Sequence, residues 1–229
     1  MRLAPFEIAS RPVTYGEFID FIDDAGYRRP ELWLAMGWDW VNSADGAGAA
    51  PRTCPLYWQR RDERWFNHTL QGCVEVDPRT PVCHLSYFEA DAYARWAGAR
   101  LPTGHEWEHA ARRLCRNPLQ ARAGTHSGPN FAERGAFHPL PHADGASAPI
   151  DPVQMFGDVW EWTQSNYNPY PGYAPLPGAV GEYNGKFMCN QFVLRGGSCA
   201  TPAGHVRASY RNFFPPDAQW QFSGLRLAR

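Results

Sequence analysis

The pattern His105-Glu106-Trp107-Glu108-His109 sets two imidazoles one helical turn apart with a glutamate beside the first. In zinc hydrolases this HExxH arrangement supplies two metal ligands and a general base. The surrounding residues point to another use. Thr103 precedes Glu106 by three positions, so the carboxylate falls where it reaches back to the cap of its own helix instead of polarising a metal-bound water. No third ligand is evident, and His68, His84, His126, His138, His142 and His205 show no metal-ligand spacing. The pattern therefore reads as a helix start, and no transition metal is expected on this chain. Six cysteines (Cys54, Cys73, Cys83, Cys115, Cys189, Cys199) contain no CxxC pair and are expected to be reduced thiols.

The same start device, a Ser or Thr followed three residues later by Glu, occurs at Thr14-Tyr15-Gly16-Glu17, Ser86-Tyr87-Phe88-Glu89 and Thr103-Gly104-His105-Glu106. Each pair satisfies backbone donors that a helix N-terminus leaves open. The first predicts a helix with Phe18, Phe21, Ile22 and Ala25 on one side, closed by Gly26. The second predicts a helix that stops at Gly98, and the third one over 104–113. The linker Ala99-Arg100-Leu101-Pro102 is short enough to set the last two side by side. Trp33, Trp38, Trp40, Tyr57, Trp58, Trp65 and Phe66 suggest short strands, as do the segments 192–198 and 222–227. Residues 115–152 and 164–190 read as long loops, the second ordered by its aromatic rings.

Ten Trp, 10 Tyr and 13 Phe stand among 21 Gly and 21 Pro, which favours a compact, turn-rich single domain over a helical bundle. Twenty-two Lys+Arg against 23 Asp+Glu leave a net charge of −1, so nucleic acid and anionic membranes have no electrostatic basis as partners. No apolar run approaches the roughly 18 residues of a membrane span. The opening Met1-Arg2-Leu3-Ala4-Pro5-Phe6-Glu7 lacks an apolar export core, and a cytoplasmic location is expected.

Pro12-Val13-Thr14-Tyr15-Gly16-Glu17-Phe18, the run Tyr93 to Thr103, Gly157-Asp158-Val159-Trp160-Glu161-Trp162, Leu194-Arg195-Gly196-Gly197-Ser198 and Gly224-Leu225-Arg226-Leu227 follow one another over nearly the whole chain. In that order they resemble formylglycine-generating-enzyme-like (sulfatase-modifying-factor) domains. The segments 181–189 and Tyr210-Arg211-Asn212-Phe213-Phe214-Pro215-Pro216-Asp217 are most similar to the C-terminal domain of the iron(II)-dependent sulfoxide synthase of ergothioneine biosynthesis. The resemblance implies an α+β, C-type-lectin-like fold with long irregular loops and little regular secondary structure. It implies a substrate-binding domain of an enzyme that joins a thiol (cysteine or γ-glutamylcysteine) to trimethylhistidine, with a selenium donor as a variant. In that family a DinB-like helical bundle carrying an HxxxHxE motif holds the Fe(II). The chain is thus expected to need such a domain or partner chain and not to turn over alone.

The resemblance also assigns residues. Arg211, Asn212, Phe213 and Phe214 would bind trimethylhistidine, its quaternary ammonium being a cation suited to aromatic faces. By their own chemistry, Arg195, Arg207 and Arg226 are candidates to clamp a substrate carboxylate. The resemblance further matches Tyr183 to a proton-donating tyrosine. Calcium positions fall on Asn130 with Phe131, on Asp144 with Ala146, and on Gln154, Gly157, Val159 and Glu161. Plainer readings stand beside these: turn capping for the oxygen ligands, core packing for the rings and structural ion pairs for the arginines. Two other functions compete. A formylglycine-generating oxidase needs a copper-binding cysteine pair after the GGS motif, where only Cys199 stands. A non-catalytic ligand-display module tends to be Asn-rich near its C-terminus, which this chain is not.

Overall fold

A computed structural model describes residues 2–43, 50–114, 128–142, 152–179, 181 and 185–229. The three start devices form as expected. Thr14 and Glu17 make a reciprocal capping box that opens α1 (Tyr15–Asp23). Ser86 and Glu89 do the same for α3 (Tyr87–Trp96). For α4 (Gly104–Leu114), Thr103 N–H donates to Glu106 at 2.7 Å while Glu106 N–H donates to Thr103 Oγ1 at 3.1 Å. Each capping carboxylate then holds a second group: Arg11 on Glu17, Arg100 on Glu106, and Tyr27 with Gln219 on buried Glu89. One device both starts a helix and ties it to the rest of the molecule.

The end of α1 differs from expectation. Ala25, not Gly26, takes the left-handed conformation (φ 56°). Gly26 is required for space, since a Cβ there would lie 2.1 Å from the Phe21 ring. The aromatic stretch after it contains a helix, α2 (Ala35–Asn42), which carries Trp38 and Trp40. Strands begin only at Trp58, as a three-stranded antiparallel sheet of β1 (Trp58–Arg61), β2 (Arg64–Thr69) and β3 (Gly72–Glu75).

The second sheet has the order β6-β5-β4-β7, with β4 (Trp160–Asn166), β5 (Phe192–Arg195), β6 (Asn212–Phe214) and β7 (Ser223–Leu225). Only the β4–β7 pairing is parallel. The short connection does not lay α3 and α4 along each other: α3 lies against α1, two 3-10 turns and β4, whereas α4 lies on β4 and β5. Arg100, in the connection, pairs with Ala228, and Glu7 exchanges backbone hydrogen bonds with Arg229. These pairings tie the linker between the two helices to the last residues of the chain, and those in turn to Glu7. No described helix is long and apolar enough to cross a membrane.

Candidate functional site

Glu161 and Arg226 are both fully buried. Arg226 donates to both Glu161 oxygens (2.9–3.2 Å), to Ala9 O (2.9 Å) and to Val153 O (2.8 Å), and Trp107 Nε1 donates to Glu161 Oε2 at 2.7 Å. Every nitrogen of this guanidinium is spent, so Arg226 holds the frame and has nothing left to clamp a ligand. Arg195, 1% exposed, is largely committed too: it donates to Ala208 O, Tyr210 O and Glu108 Oε2. Its Nε is buried and has no partner among the described residues.

A second buried network gathers the oxygen-bearing residues. Asp158 Oδ1 accepts from Asn130 Nδ2 (2.8 Å) and Leu140 N–H (2.9 Å), and Oδ2 accepts from Gln154 Nε2 (3.0 Å). Burial pushes the Asp158 carboxyl up, against the pull of these donors. Of the residues expected to hold calcium, Asn130 keeps a buried Oδ1 that has no partner among the described residues and suits a hard cation. Asp144 lies outside the described residues. Gln154 turns its amide nitrogen to Leu140 O and Asp158, and both Glu161 oxygens face Arg226 or Trp107. That pair leaves no free carboxylate oxygen for a dication.

At the rim stands Arg211. Its guanidinium lies 3.9 Å from the centre of the Tyr170 ring and 4.7 Å from that of Tyr167, and Nη1 donates to Asn168 O at 2.9 Å. Tyr167 in turn stacks on Phe213 (3.9 Å, 13°). The two rings hold the guanidinium while, among the described residues, its other N–H groups have no hydrogen-bond partner and suit a planar anion such as a carboxylate. Alternation along β6 separates the two phenylalanines expected to share a pocket. Phe213 joins Tyr167, whereas Phe214 meets Trp220 edge-on at 5.0 Å and packs on the core. Asn212 Oδ1 accepts from Phe213 N–H. Arg207 is exposed, donating to Ser209 with its guanidinium 5.5 Å from the Tyr210 ring. Tyr183 lies outside the described residues. Tyr167 and Tyr170 were not singled out from sequence; the ordered aromatic loop was their only signal.

The Sulfatase-modifying factor enzyme 1-like domain model matches residues 1–229. The chain belongs to that family. It is 39% identical over 237 residues to the Hercynine oxygenase of Mycobacterium tuberculosis, covering 97% of this chain and 52% of that protein. It is 40% identical over 240 residues to the Hercynine oxygenase of Mycolicibacterium thermoresistibile, covering 97% and 50%. The chain thus spans about half the length of these relatives. Among solved structures, PvdO from Pseudomonas aeruginosa superposes with a TM-score of 0.62 at 21% identity, over 98% of this chain and 80% of that one. That likeness supports the α+β formylglycine-generating-enzyme-like fold.

Among the described residues no three His, Cys, Asp or Glu side chains converge as a metal site. His105 and His109 instead meet Tyr170 and Phe6 rings at 6.4 and 6.2 Å, and Glu106 is bound to Arg100 and Thr103. The described residues therefore do not fit the Fe(II) that the resemblance implies. Cys199 is fully buried, and burial raises its thiol far above the usual range, which leaves it unsuited to exposed copper chemistry.

Proposed function

We propose that this chain is the substrate-binding part of a non-haem iron sulfoxide synthase that joins a thiol to trimethylhistidine, with iron ligands supplied by a DinB-like domain or chain outside the described residues. The similarity to two hercynine oxygenases along 97% of the chain carries this reading. In it, Arg211 takes the carboxylate of the amino-acid ligand, and the rings against it, Tyr167 and Tyr170, with Phe213 stacked on Tyr167, offer the apolar flank for the trimethylammonium group. Arg207 adds exposed positive charge, and Tyr183 keeps the proton-donor role proposed for it. Calcium takes the Asn130 Oδ1 as a ligand and stabilises the native state by mass action, and Asp144 keeps the calcium role the resemblance gives it.

Calorimetric titration of the purified chain with trimethylhistidine and with histidine tests the assignment. Selective uptake of the trimethylated ligand is expected; equal responses to the two would remove the basis for it. With Fe(II), cysteine and O₂ added, the chain alone is expected to form no sulfoxide, and turnover with stoichiometric iron would overturn the two-part reading. A melting temperature that does not change between millimolar Ca²⁺ and excess chelator would contradict the calcium site.

A further inference from the structure

The outer face of the three-stranded sheet carries a side-chain cluster that this chemistry does not use. His68 on β2 and Cys73 on β3 are direct cross-strand partners, so their side chains leave the same face about 5 Å apart at Cβ. Gln59 on β1 pairs with Phe66, two residues along β2 from His68, which places it on that face too. Its amide nitrogen lies 3.1 Å from His68 Nε2 and 2.9 Å from Cys73 Sγ. One point on the surface is therefore shared by an imidazole nitrogen, a thiol sulfur and a side-chain amide. His68 and Cys73 are exposed and Gln59 half-buried, so solvent and ions reach all three.

We propose that Cys73, His68 and Gln59 form a surface site for a borderline-soft divalent cation of the zinc class. Sulfur at about 2.3 Å and imidazole nitrogen at about 2.0–2.1 Å are the contacts zinc takes, and side-chain rotation of His68 and Cys73 brings both onto one ion in place of the amide nitrogen they now share. Rotation of the Gln59 amide presents Oε1 as a third ligand, and water completes a tetrahedron. The Cys73 thiol loses its proton to solvent as the S–metal bond forms; no electron is transferred. Hard cations are disfavoured, because Glu75, on the same face, is committed to Arg64 at 3.1 Å. Arg61 and Arg64 flank Phe66 with guanidiniums 5.7 and 5.9 Å from the ring, positive charges on the same sheet that weaken the hold on a free dication. The site is accordingly a modest one whose affinity rises with pH.

Cobalt(II) reports it directly. Titrated into the reduced full chain, it is expected to give a thiolate-to-metal charge-transfer band that disappears in Cys73→Ser. The same band should need at least about tenfold more metal in His68→Asn and in Gln59→Leu. Cys189→Ser, which removes another exposed thiol, should leave the band unchanged. A band that survives Cys73→Ser, or one equally strong in wild type and His68→Asn, would overturn the proposal, the latter by reducing the site to a lone thiol. All four positions are solvent-facing or half-buried, so equal melting temperatures are expected across the variants and confirm that the comparison is between folded proteins.

Discussion

Around Arg226 every guanidinium nitrogen is spent on Glu161, Ala9 O or Val153 O in a fully buried setting, whereas Arg211 lies over two tyrosine rings with a single carbonyl partner among the described residues. Residue type does not separate the two; what differs is how much donor capacity folding consumes. A buried arginine must satisfy its donors inside the protein or pay for the loss of water, so its specificity is spent before any ligand arrives. A half-exposed guanidinium held by rings keeps its edge open. Frame and site are thus built from the same side chains at different depths.

Breaking the frame should have the largest effect. Arg226→Leu leaves Glu161 as an uncompensated buried carboxylate and is expected to cost about 3–5 kcal/mol in denaturant unfolding. A loss under 1 kcal/mol would mean that the pair is not the keystone its geometry suggests. The next effect concerns a buried imidazole. Burial lowers His84 to about 4, so the unfolded chain binds a proton that the folded one refuses between the ordinary imidazole range and pH 4. Its contribution is full above about pH 6.5 and is lost as pH falls, about 2 kcal/mol between pH 7 and pH 5. His84→Asn, which tolerates the left-handed backbone there (φ 65°), should flatten that acid limb in urea midpoints. Removal of one helix start, Thr14→Ala, is expected to cost about 1 kcal/mol. The smallest stability change, within roughly 0.5 kcal/mol, belongs to Arg211→Gln, measured by thermal melting beside Arg226→Leu.

The helix starts were legible because a capping box is local chemistry, complete within four residues. α2 was not, since Leu34 at its cap makes no side-chain hydrogen bond and leaves no signal. β4 escaped because its first four residues are all buried and show no alternation, and β6 because three residues are too few for a period. The family's motifs announced the fold, yet they did not sort its arginines. Arg226 meets Glu161 across 65 positions, Arg195 meets Glu108 across 87, and Arg211 meets Asn168 across 43. Only the folded backbone brings those partners together, so only the structure shows which guanidinium is left open.

The most direct test compares trimethylhistidine binding by calorimetry in the wild-type chain, Arg211→Gln and Tyr170→Leu. The open-guanidinium account predicts that Arg211→Gln weakens binding about tenfold or more, the worth of a charge-assisted contact of about 1.5–3 kcal/mol. Tyr170→Leu, which removes one face of the ring pair, should cost less, about 2- to 5-fold, by the cation–π strength at an exposed site. Affinity unchanged in both variants, with melting temperatures also unchanged, would contradict the assignment of this rim to substrate.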